Sequence, residues 1–355
     1  MNRLFTKRTA ILMFSSLFFS SVAFSQVESI DFLRSAKEDG VQLLSAYITP
    51  WVNAFGAGLN GSWYNTAKPH KFGGFDITFG INVGVVPSSE KTFDISSMTF
   101  QSLKLNGSEP ASTIAGPNVD GPEMNYILGS DTLASFNTPP GINWRFIPVP
   151  TIQIGLGLPL GTEIKGRIIP RIPIKNGDIF LWGVGLMHSI SQYLPGDKVM
   201  PYDIALFGGY TRLSSNVKVA LTPYGDDYSN YSNYDNNSFS DQNLSTIVEA
   251  WNVSALASVN LKVITFYGGI GYSKTNTSVK LEGYYPTPTW GETAPVYTDE
   301  GVITGAEFGE INIKNFSGLR ANAGFRLKLA VVTFHVDYTW AHYSVLSAGL
   351  GISIR

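Results

Sequence analysis

Apolar and polar positions alternate strictly through the last stretch of the chain. From Leu319 the odd positions read Leu319, Ala321, Ala323, Phe325, Leu327 and Leu329, against Arg320, Asn322, Gly324, Arg326 and Lys328. After Ala330 the phase inverts: Val332, Phe334, Val336, Tyr338 and Trp340 are apolar, with Thr333, His335, Asp337 and Thr339 between them. A third run sets Leu346, Ala348, Leu350, Ile352 and Ile354 against Ser347, Gly349, Gly351 and Ser353. Successive strand side chains point to opposite faces, so each run predicts a strand with one apolar and one polar face. The apolar face persists for about 10 residues, the length a tilted strand needs to cross a bilayer. Arg, Lys, His and Asp on the other face would be costly in a dry core. Lipid outside and a wet lumen inside accommodate both faces, which predicts a transmembrane antiparallel β-barrel, with Tyr338, Trp340 and Tyr343 as an interfacial girdle. A soluble antiparallel sheet with one solvated face is the competing reading of this stretch.

Upstream, Ile77, Phe79, Ile81, Val83 and Val85 alternate with Thr78, Gly80, Asn82 and Gly84. Further runs cover Ile152 to Leu158, Thr162 to Ile172, Asp178 to Ile190, Tyr202 to Leu213, Val217 to Pro223, Ser245 to Ser273 (two strands) and Val279 to Tyr285. Trp51 to Tyr64 reads as a glycine-rich strand, and Asn176-Gly177 and Ser214 to Asn216 read as turns. The total is about 12–14 strands, an even number being the bacterial rule. Stretches rich in Gly, Pro, Asn and Ser predict long loops near residues 98–150, 224–243 and 286–317. Between Val27 and Tyr47 the period is helical, with Ile30 and Leu33, and then Val41, Leu44 and Tyr47, three apart and the two sets about two turns from each other, and Thr49-Pro50 is expected to end it. Residues 26–50 are therefore expected to form a short helical plug in the lumen, ahead of a barrel over 51–355; the alternative is a docking handle in the periplasm.

Targeting signals agree with this architecture. Arg3, Lys7 and Arg8 precede an uncharged run to Phe24, and Ala23 and Ser25 are small, so residues 1–25 read as a secretory signal peptide cleaved before Gln26. No cysteine occurs anywhere, which excludes disulfides, thiolate metal sites and a lipidated N-terminal cysteine. Charged residues make up only 15% and aromatics 13%, with 36 glycines, a composition that fits a barrel better than a periplasmic binding protein or a helical enzyme. The formal net charge of −2 offers no general attraction to nucleic acid.

Sequence signatures of catalysis are sparse, so no enzymatic activity, cofactor or metal is expected. The chain holds no phosphate-binding glycine loop, helical His pair or nucleophile elbow. His342 and Ser344 are two apart and resemble, over three residues, the active strand of outer-membrane phospholipases, but a girdle or turn role is favoured. Glu163, Lys165, Arg167, Arg171, Arg320, Arg326, Lys328, His335 and Asp337 fall on the polar faces and are expected to form a luminal charge network. It would bind an anionic group or anchor the plug, or it would be cross-strand pairing alone. Asp226, Asp227, Asp235 and Asp241 lack the spacing of a calcium loop and read as a solvated surface. Trp182, Phe207, Tyr210, Phe266 and Tyr267 are expected to face lipid or join the girdle.

The segments Pro50-Trp51, Gly61-Ser62-Trp63-Tyr64-Asn65-Thr66-Ala67, Gly74-Phe75-Asp76, Gly183-Val184-Gly185-Leu186-Met187-His188 and Gly349 to Arg355 resemble a family of outer-membrane proteins from Bacteroidota, over nearly the whole mature chain. That resemblance implies the outer membrane of a Gram-negative bacterium and carries no chemistry. The N-terminal helix ahead of a barrel is also similar in layout to the long-chain fatty acid (FadL-like) outer-membrane transporters, whose N-terminal segment forms a hatch. Two functions follow as expectations. One is passage of a small hydrophobic or amphipathic ligand through a plugged barrel; the other is a non-transporting subunit of a larger outer-membrane assembly or secretion complex. Outer-membrane lipid is the expected partner in both, and other subunits in the second.

Overall fold

Ten long strands pair edge to edge and close on themselves. They are β1 (Phe75–Val85), β2 (Phe146–Leu158), β3 (Thr162–Ile174), β4 (Gly177–Ser189), β5 (Tyr202–Lys218), β6 (Asn243–Leu261), β7 (Ile264–Glu282), β8 (Phe316–Leu329), β9 (Val332–Trp340) and β10 (Val345–Ile354). Every sequential pair is antiparallel, and β10 returns to β1 with Phe75 opposite Ile354 and Gly84 opposite Val345, so the barrel has no free edge. The computed structural model describes residues 37–128, 131–174, 177–195, 201–218, 228–286, 289–290, 295–296 and 298–354. The signal peptide, Gln26, residues 27–36, Asp226 and Asp227 lie outside the described residues.

The connections sort by length onto the two ends. Residues 159–161, 262–263 and 330–331 join strands at one end, where Phe75 and Ile354 also lie, together with the connection from β4 to β5. The opposite end carries the long connections from β1 to β2, β5 to β6 and β7 to β8, and the short ones from β3 to β4 and β9 to β10. The loop face has its own structure: Leu103–Asn106, Glu123–Leu128 and Asp131–Asn137 form a three-stranded sheet, and Glu310–Asn312 pairs back onto β7.

Alternation in β8, β9 and β10 is as the sequence predicts. Arg320, Asn322, Arg326, His335, Asp337 and Ser347 are buried, while Leu319, Phe334, Leu350 and Ile352 stand on the outer surface. Leu319 is 82% exposed and Ile270 70%, and a continuous apolar belt of this kind belongs against lipid tails. Trp182 with Tyr210, Trp251 with Tyr272, and Tyr338 with Trp340 form three ring pairs at centroid distances of 5.6, 6.0 and 5.0 Å on the outer face, toward the loop end.

The strand count corrects the expected 12–14 to ten, because polar breaks inside long strands mimic turns. Ser214, Ser215 and Asn216 lie within β5, paired with Ile247, Thr246 and Ser245 of β6. Beyond the aromatic pairs the faces of β5, β6 and β7 exchange character. Leu213, Val248, Val279 and Leu281 are buried inside, whereas Arg212 and Glu249 form an ion pair of 2.9 Å outside. Above the membrane these strands meet water on the outside and an apolar filling on the inside, as in a soluble sheet.

That filling is the helix α1 (Lys37–Leu59), which runs straight through Pro50 instead of ending there. Burial outweighs the lost amide: Ala54, Phe55 and Leu59 join Val149, Leu181, Leu213 and Val248 in one apolar cluster. Trp51 to Tyr64 is therefore no strand. Its small residues allow close helix approach, and any side chain at Gly84 of β1 would strike the Ala54 carbonyl. Among the described residues no helix is long and apolar enough to cross a membrane.

Candidate functional site

After Leu59 the chain turns at Asn60 and Gly61 and descends through the barrel interior to His70. The wall residues that meet it come from the polar faces predicted by alternation. Arg167 (β3) is 2% exposed; it donates from Nη1 to the Leu59 carbonyl (2.8 Å), from Nη2 to the Gly61 carbonyl (2.6 Å) and from Nε to Gln153 Oε1 (3.0 Å). Its guanidinium also lies 3.7 Å from the ring centroid of Trp63. The Leu59 carbonyl ends α1, where the helix dipole is negative and no basic residue of the helix itself is present, so the wall supplies the cation. Arg320 donates to the Asn60 carbonyl (2.8 Å) and Arg326 to Asn65 Oδ1 (3.1 Å). Tyr64 donates to Asn322 (2.8 Å), and the Ala67 amide donates to Ser258 (3.0 Å).

At the short-turn end a second cluster anchors His70. Its amide donates to Glu163 Oε2 (2.8 Å), its Nδ1 lies 2.8 Å from the same oxygen, and its Nε2 lies 2.9 Å from Ser353 Oγ. Lys165 donates to the other Glu163 oxygen. Ser353, His70 and Glu163 stand in the order of nucleophile, base and orienting acid, but all three are buried and Glu163 is already held by three donors. His70, Asp76 and Glu163 also place potential ligand atoms within 4.8 Å of one another. The Lys165 ammonium occupies the cation position beside Glu163, so the residues fit an internally neutralised latch better than a metal centre.

The predicted network is thus split. Glu163, Lys165, Arg167, Arg320, Arg326, His335 and Asp337 are buried in the lumen; Asp337 accepts from Tyr267 (2.9 Å), and neither ring nitrogen of His335 has a protein partner. Lys328 is half-buried near the short-turn end. Arg171 is a correction: the register shifts between Ile169 and Ile172, and its side chain turns out to an exposed pair with Asp178. Tyr343 is another. It is 3% exposed and donates to Glu90, because the 341–344 link folds inward against α1 and the long connection. His342 pairs with Glu90, while Ser344 donates to the Ala341 carbonyl (3.2 Å), so the two form no dyad. Phe207 and Tyr267 point inward against Trp63 and Tyr64, unlike the outward Trp182 and Phe266. Asp235 caps residues 236–239, and the Ser238 hydroxyl and amide hold its carboxyl below the usual range.

At the loop end α1 is clasped from outside the barrel. Asp39 accepts from the amides of Gln101, Ser102 and Leu103 at 3.0, 2.7 and 3.0 Å, and Tyr47 donates to the Pro140 carbonyl (2.9 Å). Beside the helix lies a cavity of about 930 Å³, lined by Val41, Asn53, Glu90, Phe93, Phe316 and His342 among others.

Sequence reasoning missed the 60–70 segment, although it contains the Gly61 to Ala67 motif. That motif lines the bore, and Gly185 of the Gly183 to His188 motif is where a side chain would collide with Trp63 and Phe207. The Gly61 to Ala67 and Gly183 to His188 segments thus mark where the threaded segment meets the wall.

Among solved structures the chain is similar to the translocator domain of the autotransporter NalP from Neisseria meningitidis, at 11% identity and TM-score 0.30, covering 91% of this chain and 99% of that one. It is similar to the outer-membrane protease OmpT of Escherichia coli at 9% identity and TM-score 0.29, covering 79% and 96%. A FadL homologue of Pseudomonas aeruginosa matches at 10% identity and TM-score 0.21, covering 79% and 89%. No curated protein matches. Residues 1–354 match the profile described as "Family of unknown function (DUF6588)", and the chain belongs to that family.

Proposed function

We propose that this protein is an integral outer-membrane barrel closed to passage, a structural platform whose working surface is the loop face. The observation that carries the reading is the set of Arg167 and Arg320 bonds to the Leu59, Gly61 and Asn60 carbonyls. Buried charge-assisted bonds to main chain are among the stronger hydrogen bonds, and here they fix the threaded segment across the bore. A solute would have to displace α1, residues 60–70 and the apolar cluster around them together. Reconstitution in a planar bilayer tests this: the folded protein is expected to give no stepwise conductance, and steady porin-like conductance sinks it.

A second reading is favoured by the 930 Å³ cavity beside α1, whose Val41, Phe93 and Phe316 suit an apolar chain and whose Glu90, His342 and Asn53 suit a polar head. In that reading the barrel accepts a small amphipathic molecule at its mouth and passes it on when the segment shifts. Retention of a reproducible lipid-like molecule through purification in mild detergent would support it, and a stable set of partner proteins on an empty barrel would favour the platform.

A further inference from the structure

The direction in which the chain crosses its own barrel has a topological consequence. Asp39 and Tyr47 are bonded to the long connection at residues 86–145, on the loop face. Asn53 reaches the Lys314 carbonyl and Tyr343, at the loop-face rim. Leu59 lies within the bore at Arg167, Ala67 lies lower at Ser258, and His70 sits at Ser353 and Glu163 on the short-turn end. The chain then turns, with the Gly73 amide on the Gly157 carbonyl, and only afterwards enters β1 from the short-turn side. Before making its first strand, the chain has therefore passed the whole bore from the loop face to the short-turn face.

Bacterial barrels keep short turns in the periplasm and long loops outside the cell. We propose that the first half of α1 is displayed at the cell exterior, held there because the N-terminal arm runs through the bore. The arm's exit is then the functional surface: Gln42 is exposed there, beside the cavity mouth. The inference rests on the outer-membrane reading above but not on the bore being sealed, which conductance tests separately.

The absence of cysteine makes the test direct, since single substitutions report alone. Gln42→Cys probes α1, Lys104→Cys the loop face, and Leu160→Cys the short-turn end, all exposed positions. Each full-length variant is first checked for heat-modifiable gel mobility, which reports the closed barrel. Cells are then treated with a membrane-impermeant maleimide, intact or after outer-membrane permeabilisation. Gln42→Cys and Lys104→Cys are expected to label equally in both, and Leu160→Cys to lose labelling in intact cells. If Gln42→Cys labels only after permeabilisation while Lys104→Cys labels in intact cells, the arm does not exit outside and the proposal falls. If all three need permeabilisation, the barrel's orientation in the outer membrane is wrong and the proposal falls with it.

Discussion

Arg167 brings a guanidinium into a bore where every bond it makes is to the threaded segment or to Gln153. Replacing it by Leu leaves the Gly61 carbonyl without this donor and the Leu59 carbonyl with only the long 3.5 Å bond from Thr211, a loss of about 1–3 kcal/mol. His335 is the contrasting case, because neither ring nitrogen has a protein partner and the ring rests against Gly349. His335→Leu removes buried polar atoms that earn nothing and is expected to be neutral or stabilising. Urea unfolding in lipid vesicles measures both, and equal destabilisation would refute the distinction. Tyr47 supplies a pH test at the loop face. Burial pushes its hydroxyl up to about 12, so the folded state holds the proton more tightly than the unfolded chain. Its contribution is complete below the ordinary tyrosine value of about 10 and lost as pH rises through about 12. Tyr47→Phe should abolish that alkaline loss.

At the scale of elements, the strands read most easily from sequence are those whose two faces meet the same two solvents along their whole length. β8, β9 and β10 meet lipid outside and polar lumen inside, so their alternation is unbroken. β5, β6 and β7 pass from lipid to water on one face and from polar lumen to apolar helix on the other, so the pattern inverts mid-strand and imitates a turn at Ser214 to Asn216. α1 is hard to read for a related reason: Trp51, Phe55 and Leu59 with the glycines between them, continued past the helix by Gly61 and Trp63, mimic period two, and Pro50 looks like a stop. The luminal arginines were legible as buried cations but not their partners, because backbone carbonyls leave no mark in a sequence. Brominated lipids check the placement. Single-tryptophan variants retaining Trp182 or Trp340 should be quenched strongly, and one retaining Trp63 should not; quenching of Trp63 would place that segment against lipid.

For the whole molecule, α1 belongs to two bodies at once, the barrel wall through Arg167 and the long connection between β1 and β2 through Asp39 and Tyr47. Asp39→Ala removes the acceptor that the amides of Ser102 and Leu103 share, and should cost about 1–3 kcal/mol. The damage should be confined to the loop face. Limited proteolysis of vesicle-inserted protein is expected to cut residues 86–145 faster while heat-modifiable mobility persists, and collapse of that mobility would show the two bodies are not separable.

The threaded segment also fixes an order of events. A helix of 23 residues clasped by folded loops is too bulky to enter a finished ring of ten strands, and β1 is covalently the next element after it. The ladder from Phe75–Ile354 to Gly84–Val345 must therefore be the last to zip, with the arm already lying across the open sheet. Biogenesis then has one irreversible moment, and a chain whose seam shuts early is left with its arm on the wrong side and no route back short of unfolding.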